Sequence, residues 1–122
     1  MPNTLKNVLR TQLSTDSATL YTVPGATVSI IIGMSAANIK SNTNVNFSAA
    51  VLDSANAPAT HIVKNATIAP GGTEVVVGGD QKIIMQTGDV LKAVASDSDS
   101  LDVIVSYAVS HTHLTLPTSA IV

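Results

Sequence analysis

The chain has 122 residues and a formal net charge of −2; 45% of residues are hydrophobic, 11% charged and 2% aromatic, and there is no cysteine. That length suits one domain with one core, and the apolar content argues against disorder of the bulk. Disulfides, thiolate chemistry and cysteine-based zinc sites are excluded. A phosphate-binding stripe is not visible, because Lys6, Arg10, Lys40, Lys64, Lys82 and Lys92 are scattered. No apolar run approaches the roughly 20 residues of a membrane helix. Residues 1–6 lack the apolar centre of a signal peptide, so a soluble protein made in a cytoplasm is expected, with neither nucleic acid nor membrane as partner.

Residues 1–17 alternate weakly between polar and apolar and carry no helix cap, which reads as an N-terminal arm or a loosely paired first strand. From residue 18 the β signals are dense. Thr19 to Val23 forms a strand stopped by Pro24-Gly25. Thr27 to Ala37 follows, with Val28, Ile30, Ile32 and Met34 assigned to one face. Ile31 breaks that alternation, as in a strand buried on both sides over part of its length. Asn44 to Asp53 alternates cleanly, with Val45, Phe47, Ala49 and Val51 inward and Asn44, Asn46 and Ser48 outward.

Pro58 marks a loop, His61 to Lys64 a short strand, and Ala69-Pro70-Gly71-Gly72 a turn. Thr73 to Val77 leads into Ile83-Ile84-Met85, which sits between two Gly-Asp pairs, Gly79-Asp80 and Gly88-Asp89. Glycine reaches positive φ without a Cβ clash and aspartate bonds its own backbone, so both pairs read as tight turns. Val90 to Ser96 and Leu101 to Val109 are expected to pair across Asp97-Ser98-Asp99-Ser100, with Leu101, Val103, Val105 and Tyr107 on one face. The expected fold is all-β: a single antiparallel β-sandwich of about eight strands over 18–109, jelly-roll or Ig-like, with a flattened barrel as the alternative.

Residues 110–122 break the pattern. Thr112 to Thr118 resembles the conceptual translation of a transposase-type adapter used in sequencing libraries, so 110–122 is set apart as a non-native or disordered tail.

The candidate sites are weak beside their ordinary readings. His111 and His113 form a His-x-His pair that on a strand would face one side and could hold a metal, but they fall in the suspect tail. His61 stands alone, as a surface or rim histidine does. Asp97, Asp99 and Asp102 could offer carboxylates to calcium. An EF-hand register started at Asp97, however, puts Asp102 where glycine is needed and Ala108 where glutamate is needed. Polar Ser/Asp links between strands are ordinary turn chemistry.

Gly33-Met34-Ser35-Ala36-Ala37 starts like a nucleophile elbow but lacks the second glycine and the following helix. Gly71-Gly72 and Gly78-Gly79 open no helix that would bind phosphate. Asn46-Phe47-Ser48 and Asn65-Ala66-Thr67 match glycosylation sequons only by chance. No catalytic residue, metal ligand or cofactor-binding residue is assigned, no cofactor is expected, and the chain is read as not an enzyme.

One resemblance spans Thr19 to Tyr107. It is carried by Leu20-Tyr21-Thr22-Val23-Pro24, Ile32-Gly33-Met34-Ser35-Ala36-Ala37-Asn38, Ile62-Val63-Lys64-Asn65-Ala66 and Ile68-Ala69-Pro70-Gly71. It continues through Val76 to Ile83 and Thr87-Gly88-Asp89-Val90-Leu91-Lys92, and closes on Asp102-Val103-Ile104-Val105-Ser106-Tyr107. In order and spacing these blocks are similar to small virion structural proteins of tailed bacteriophages, marine and cyanobacterial phages especially.

The chain departs from that pattern after the Ser-Tyr block, where members end in a Leu-Glu-Ile-like sequence and this chain has Ala108-Val109-Ser110. The resemblance implies a non-enzymatic part of the particle (capsid decoration, neck or tail), found in the virion after synthesis in the host cytoplasm. It would contact other virion proteins and form a homo-oligomer. A carbohydrate-binding or host-attachment module of a tail appendage is the competing reading, and it requires exposed, coplanar aromatic rings. Tyr21 and Tyr107 are the residues that decide it.

Overall fold

A computed structural model describes residues 4–53 and 58–111 of the chain. Among the described residues nine strands run in order: β1 (Thr4–Leu13), β2 (Ala18–Thr22), β3 (Thr27–Asn38), β4 (Val45–Leu52), β5 (Thr60–Ile68), β6 (Thr73–Val77), β7 (Ile83–Met85), β8 (Val90–Ala95) and β9 (Leu101–His111). They form two sheets, all neighbours antiparallel. One has the order β1-β9-β3-β6, with β7 also on β3; the other has the order β2-β8-β4-β5.

Five of these pairings are nested in sequence. β4 pairs with β5, β3 with β6 and β7, β2 with β8, and β1 with β9. The chain is thus one long antiparallel ribbon whose inner end is the β4–β5 hairpin. Wrapping that ribbon lets β9 close on β3 and β8 on β4, which makes the sandwich a jelly roll, one of the two expected topologies.

The topology corrects one expectation. β8 and β9 are not partners; they lie in opposite sheets, and Asp97–Ser100 arches over the end of the sandwich. Face alternation shows which side of a strand is buried but says nothing about its neighbour. The arch is held by the link after β1: Asp99 N donates to Ser14 Oγ at 2.9 Å, Ser100 N to Leu13 O at 3.0 Å, and Ala95 N to Ser14 O at 2.9 Å.

The two Gly-Asp pairs also differ from each other. Gly79 and Gly88 both have positive φ, 62° and 89°. Asp89 N bonds Gln86 O at 2.9 Å, and that turn carries the chain from β7 to β8 in the other sheet. Gly79-Asp80, by contrast, reverses nothing. Gln81 N reaches Gly78 O at 3.1 Å, and the chain then rejoins the same edge of β3 as β7. One edge strand is therefore interrupted by a loop, and this is why nine strands fill a jelly roll of eight.

β3 corrects a face assignment. Its inward residues are Thr27, Ser29 and Ile31, then Met34, Ala36 and Asn38, while Val28, Ile30 and Ile32 are only half-buried on the outer side. The register slips between Ile31 and Gly33, so one bulge flips the alternation midway. Apolar residues on both faces hid this from the sequence. The inward polar groups are paired: Thr27 Oγ1 donates to Gly25 O at 2.9 Å, and the Ser29 and Tyr21 hydroxyls lie 2.6 Å apart.

The rest of the core follows the alternation. Val45, Phe47, Leu91, Leu101, Val103 and Val105 are buried between the sheets together with Met34 and Met85. Ser48 is buried as well, although the alternation put it in water. Its hydroxyl accepts from Asn65 N at 2.9 Å, and Asn65 takes φ 55° at an irregularity of β5. β9 runs on past Val109, with Ser110 opposite Val28 and His111 opposite Thr27, so these two residues have a place in the sandwich.

Candidate functional site

The histidine and carboxylate candidates fall apart spatially. His61 lies exposed on β5 opposite Ala50, beside a cleft of about 260 Å³ shared with Ser48 and Lys92. His111 ends β9 next to a cavity of about 240 Å³ lined by Lys6, Tyr21, Pro24 and Tyr107. His113 is outside the described residues, as is the adapter-like stretch Thr112–Thr118.

Asp97, Asp99 and Asp102 each serve a different local bond. Asp97 Oδ1 accepts from Ser98 N at 3.0 Å, Asp99 Oδ1 from Ser14 Oγ at 3.3 Å, and Asp102 Oδ1 from Gln12 N at 2.9 Å. Among the described residues no three His, Cys, Asp or Glu side chains group to hold a metal.

The glycine motifs lie on strands or the links between them. Ser35 of Gly33-Met34-Ser35 sits mid-strand on the outer side of β3, with no helix after it. Gly71-Gly72 joins β5 to β6, and Gly78-Gly79 joins β6 to β7. Asn46 Oδ1 accepts from Thr67 Oγ1 at 2.8 Å, so the two sequon segments meet across the β4–β5 pair. Among the described residues no helix is long and apolar enough to cross a membrane.

The tyrosines that decide between readings lie together. Their ring centroids are 4.3 Å apart and the planes are inclined by 36°. Tyr107 is buried and Tyr21 half-buried with its hydroxyl on Ser29. A sugar-stacking platform needs open, coplanar faces; these rings pack on each other. Phe47 is fully buried.

What stands out is the outer face of the β1-β9-β3-β6 sheet. Register places Leu9 beside Ile104, Ile104 beside Ser35, and Ser35 beside Val75, forming one row across four strands. A second row runs Leu5, Ala108, Ile30, Ile84. Between them lie Asn7 and Ser106, also paired. Leu5 is 73% exposed, Ile84 66%, Leu9 65%, Val75 64% and Ile104 51%. Isolated exposed apolar residues are ordinary, but two aligned rows on one sheet are the pattern of an interaction surface.

Sequence reading missed this face. Residues 1–17 read as an arm or a loosely paired first strand, and Thr4–Leu13 is a ten-residue strand on β9. The available signal was Leu5-x-Asn7-x-Leu9 at strand period, with Lys6 and Arg10 on the other side.

No protein-family model matches the chain, and none of the curated proteins matches it in sequence. Solved structures do match in fold. The chain is similar to a protein of the infectious bursal disease virus Gx strain (TM-score 0.54, 15% identity, 94% of this chain and 34% of that one). It is also similar to a protein of the T13 particle of the same virus (TM-score 0.52, 11% identity, 94% and 32%). A third likeness is to a protein of Bacillus endospore appendages, which form disulfide-linked pili (TM-score 0.51, 10% identity, 90% and 88%). The chain spans about a third of the length of the two viral chains. At such identities the likeness is one of fold.

Proposed function

We propose that the chain is a non-enzymatic structural subunit of a virion, acting through protein–protein assembly, with the particle of a tailed bacteriophage as its setting and other virion proteins and further copies of itself as partners. The observation that carries this reading is the outer sheet face, where Leu5, Leu9, Val75, Ile84 and Ile104 line up in water. Apolar rows of this kind become stable once a neighbour covers them, at roughly 25 cal/mol per Å² of apolar area buried.

Two further features support it. The resemblance of the Leu20–Tyr107 blocks is to phage virion proteins, and the fold likenesses are to proteins of viral particles and of pili, which are repeated assemblies. Capsid decoration, neck and tail positions are all compatible with this role. The sugar-binding alternative loses its main support, because the Tyr21–Tyr107 pair is turned inward.

The test is co-sedimentation of the purified full chain with particles of the virus that encodes it. Saturable binding is expected. A chain that stays in the supernatant at every particle concentration, and that is also absent from native particles, would contradict the reading.

A further inference from the structure

We propose that copies of the chain join head to tail through the two edges of the β1-β9-β3-β6 sheet, β1 of one copy adding to β6 of the next. This rests on the assembly reading above and names the partner surface: a second copy of this chain, bound edge to edge.

The sheet has four antiparallel positions, so its edge strands β1 and β6 run in opposite directions. A copy displaced across the strands, without rotation, therefore brings its β1 antiparallel to β6, the geometry in which edge N–H and C=O groups pair.

Side-chain parity agrees. Arg10 pairs with Val103 and Glu74 with Ala36, both partners buried, so Arg10 and Glu74 lie on the sandwich side of the sheet. Leu9 pairs with the exposed Ile104, and Val75 with the half-buried Ser35 on the outer side. Setting Arg10 of one copy opposite Glu74 of the next sets Leu9 opposite Val75. The row Leu9–Ile104–Ser35–Val75 then continues unbroken into the neighbour. Lys6 comes over the Gly78–Asp80 loop, near Asp80.

Charge selects this arrangement over its alternatives. The β1 edge carries Lys6 and Arg10 and no acid; β6 carries Glu74 and no base, and the loop after it carries Asp80 together with Lys82, whose Nζ donates to Gly79 O at 3.3 Å. Two β1 edges meeting on a two-fold axis would oppose cations to cations, and two β6 strands would offer Glu74 no base on the facing strand. Like charges directly across a strand pair are destabilising, while opposite charges fix register. A heterologous contact of this sort closes into a ring or extends as a filament.

The experiment is a charge swap on the full chain, read by sedimentation velocity over a concentration series. The wild-type chain should associate, and R10E alone and E74R alone should each weaken association about tenfold or more. An equimolar mixture of R10E with E74R should recover it, since each contact again joins an acid to a base. Circular dichroism of each variant controls for folding, and K6E with D80K provides an independent pair if either first variant misfolds.

Three results would overturn the inference: a wild-type chain that is monomeric throughout, single variants that associate like wild type, or loss with R10E but not with E74R. The last would show that Arg10 acts through a partner other than Glu74. These outcomes are separable from the function reading, which turns on binding to virions.

Discussion

The Tyr21 and Ser29 hydroxyls meet at 2.6 Å inside one end of the sandwich, joining β2 of one sheet to β3 of the other. Ser29 is fully buried, and its inward placement is tolerable because the phenol satisfies it. Removing either hydroxyl leaves the other without this partner, at a cost of about 1–3 kcal/mol. Ser29→Ala and Tyr21→Phe should each destabilise by that order in urea denaturation. The double variant should be less destabilised than the sum of the singles, and strict additivity would contradict the coupling.

Asn38 is a second cross-sheet tie. It ends β3, is 2% exposed, and its Nδ2 donates to Thr43 O at 2.8 Å and Ile68 O at 2.9 Å while Oδ1 accepts from Lys40 N at 2.9 Å. Asn38→Asp keeps the shape but replaces the amide nitrogen and its two N–H donors with one oxygen facing two carbonyls. A loss of about 3 kcal/mol or more is expected, because buried carbonyls lose partners beside a buried acid. A change within about 0.5 kcal/mol in chemical denaturation would contradict it.

Ala26 adopts φ 53° in the link from β2 to β3 and is exposed. A side chain is strained there and glycine is not. Ala26→Gly should therefore hold or raise the melting temperature, with a gain of up to about 1 kcal/mol set against glycine's larger loss of freedom on folding. A clear fall in melting temperature would show that the alanine methyl contributes packing.

Tyr107 has its phenol pKa raised from the ordinary 10.0, first by burial and then by the charge of an ionised Tyr21 beside it. The native state thus holds the proton more tightly than the unfolded chain. Its stabilisation is complete below pH 10 and is lost as pH rises through the folded-state value. Urea midpoints should fall as pH rises above 10, and fall less in Tyr107→Phe. Identical alkaline profiles would contradict a buried, titrating Tyr107.

How much of this was legible in the sequence depends on which signal carried it. Val45-x-Phe47-x-Ala49 and Leu101-x-Val103-x-Val105-x-Tyr107 place apolar residues at every second position, and the burial of those residues follows from that period. β3 defeats that rule: Val28, Ile30 and Ile32 face outward while Thr27, Ser29 and Asn38 point inward, and the bulge near Gly33 changes phase midway. Strand partners were not legible either, since the pairings of β8 and β9 are set by the wrapping of the whole ribbon. The interaction face was the least visible part. Leu5 and Leu9 belong to β1, and Val75 and Ile84 to the opposite edge; only the register brings them into rows with Ile104 and Ile30.

The most direct measurement is the copy number of this chain in particles purified from infected cells, by quantitative mass spectrometry. A structural subunit should be present in many copies, in a fixed ratio to the other particle proteins that matches a ring or shell symmetry. Its absence from those particles, while the chain is plainly expressed in the same cells, would contradict the virion role.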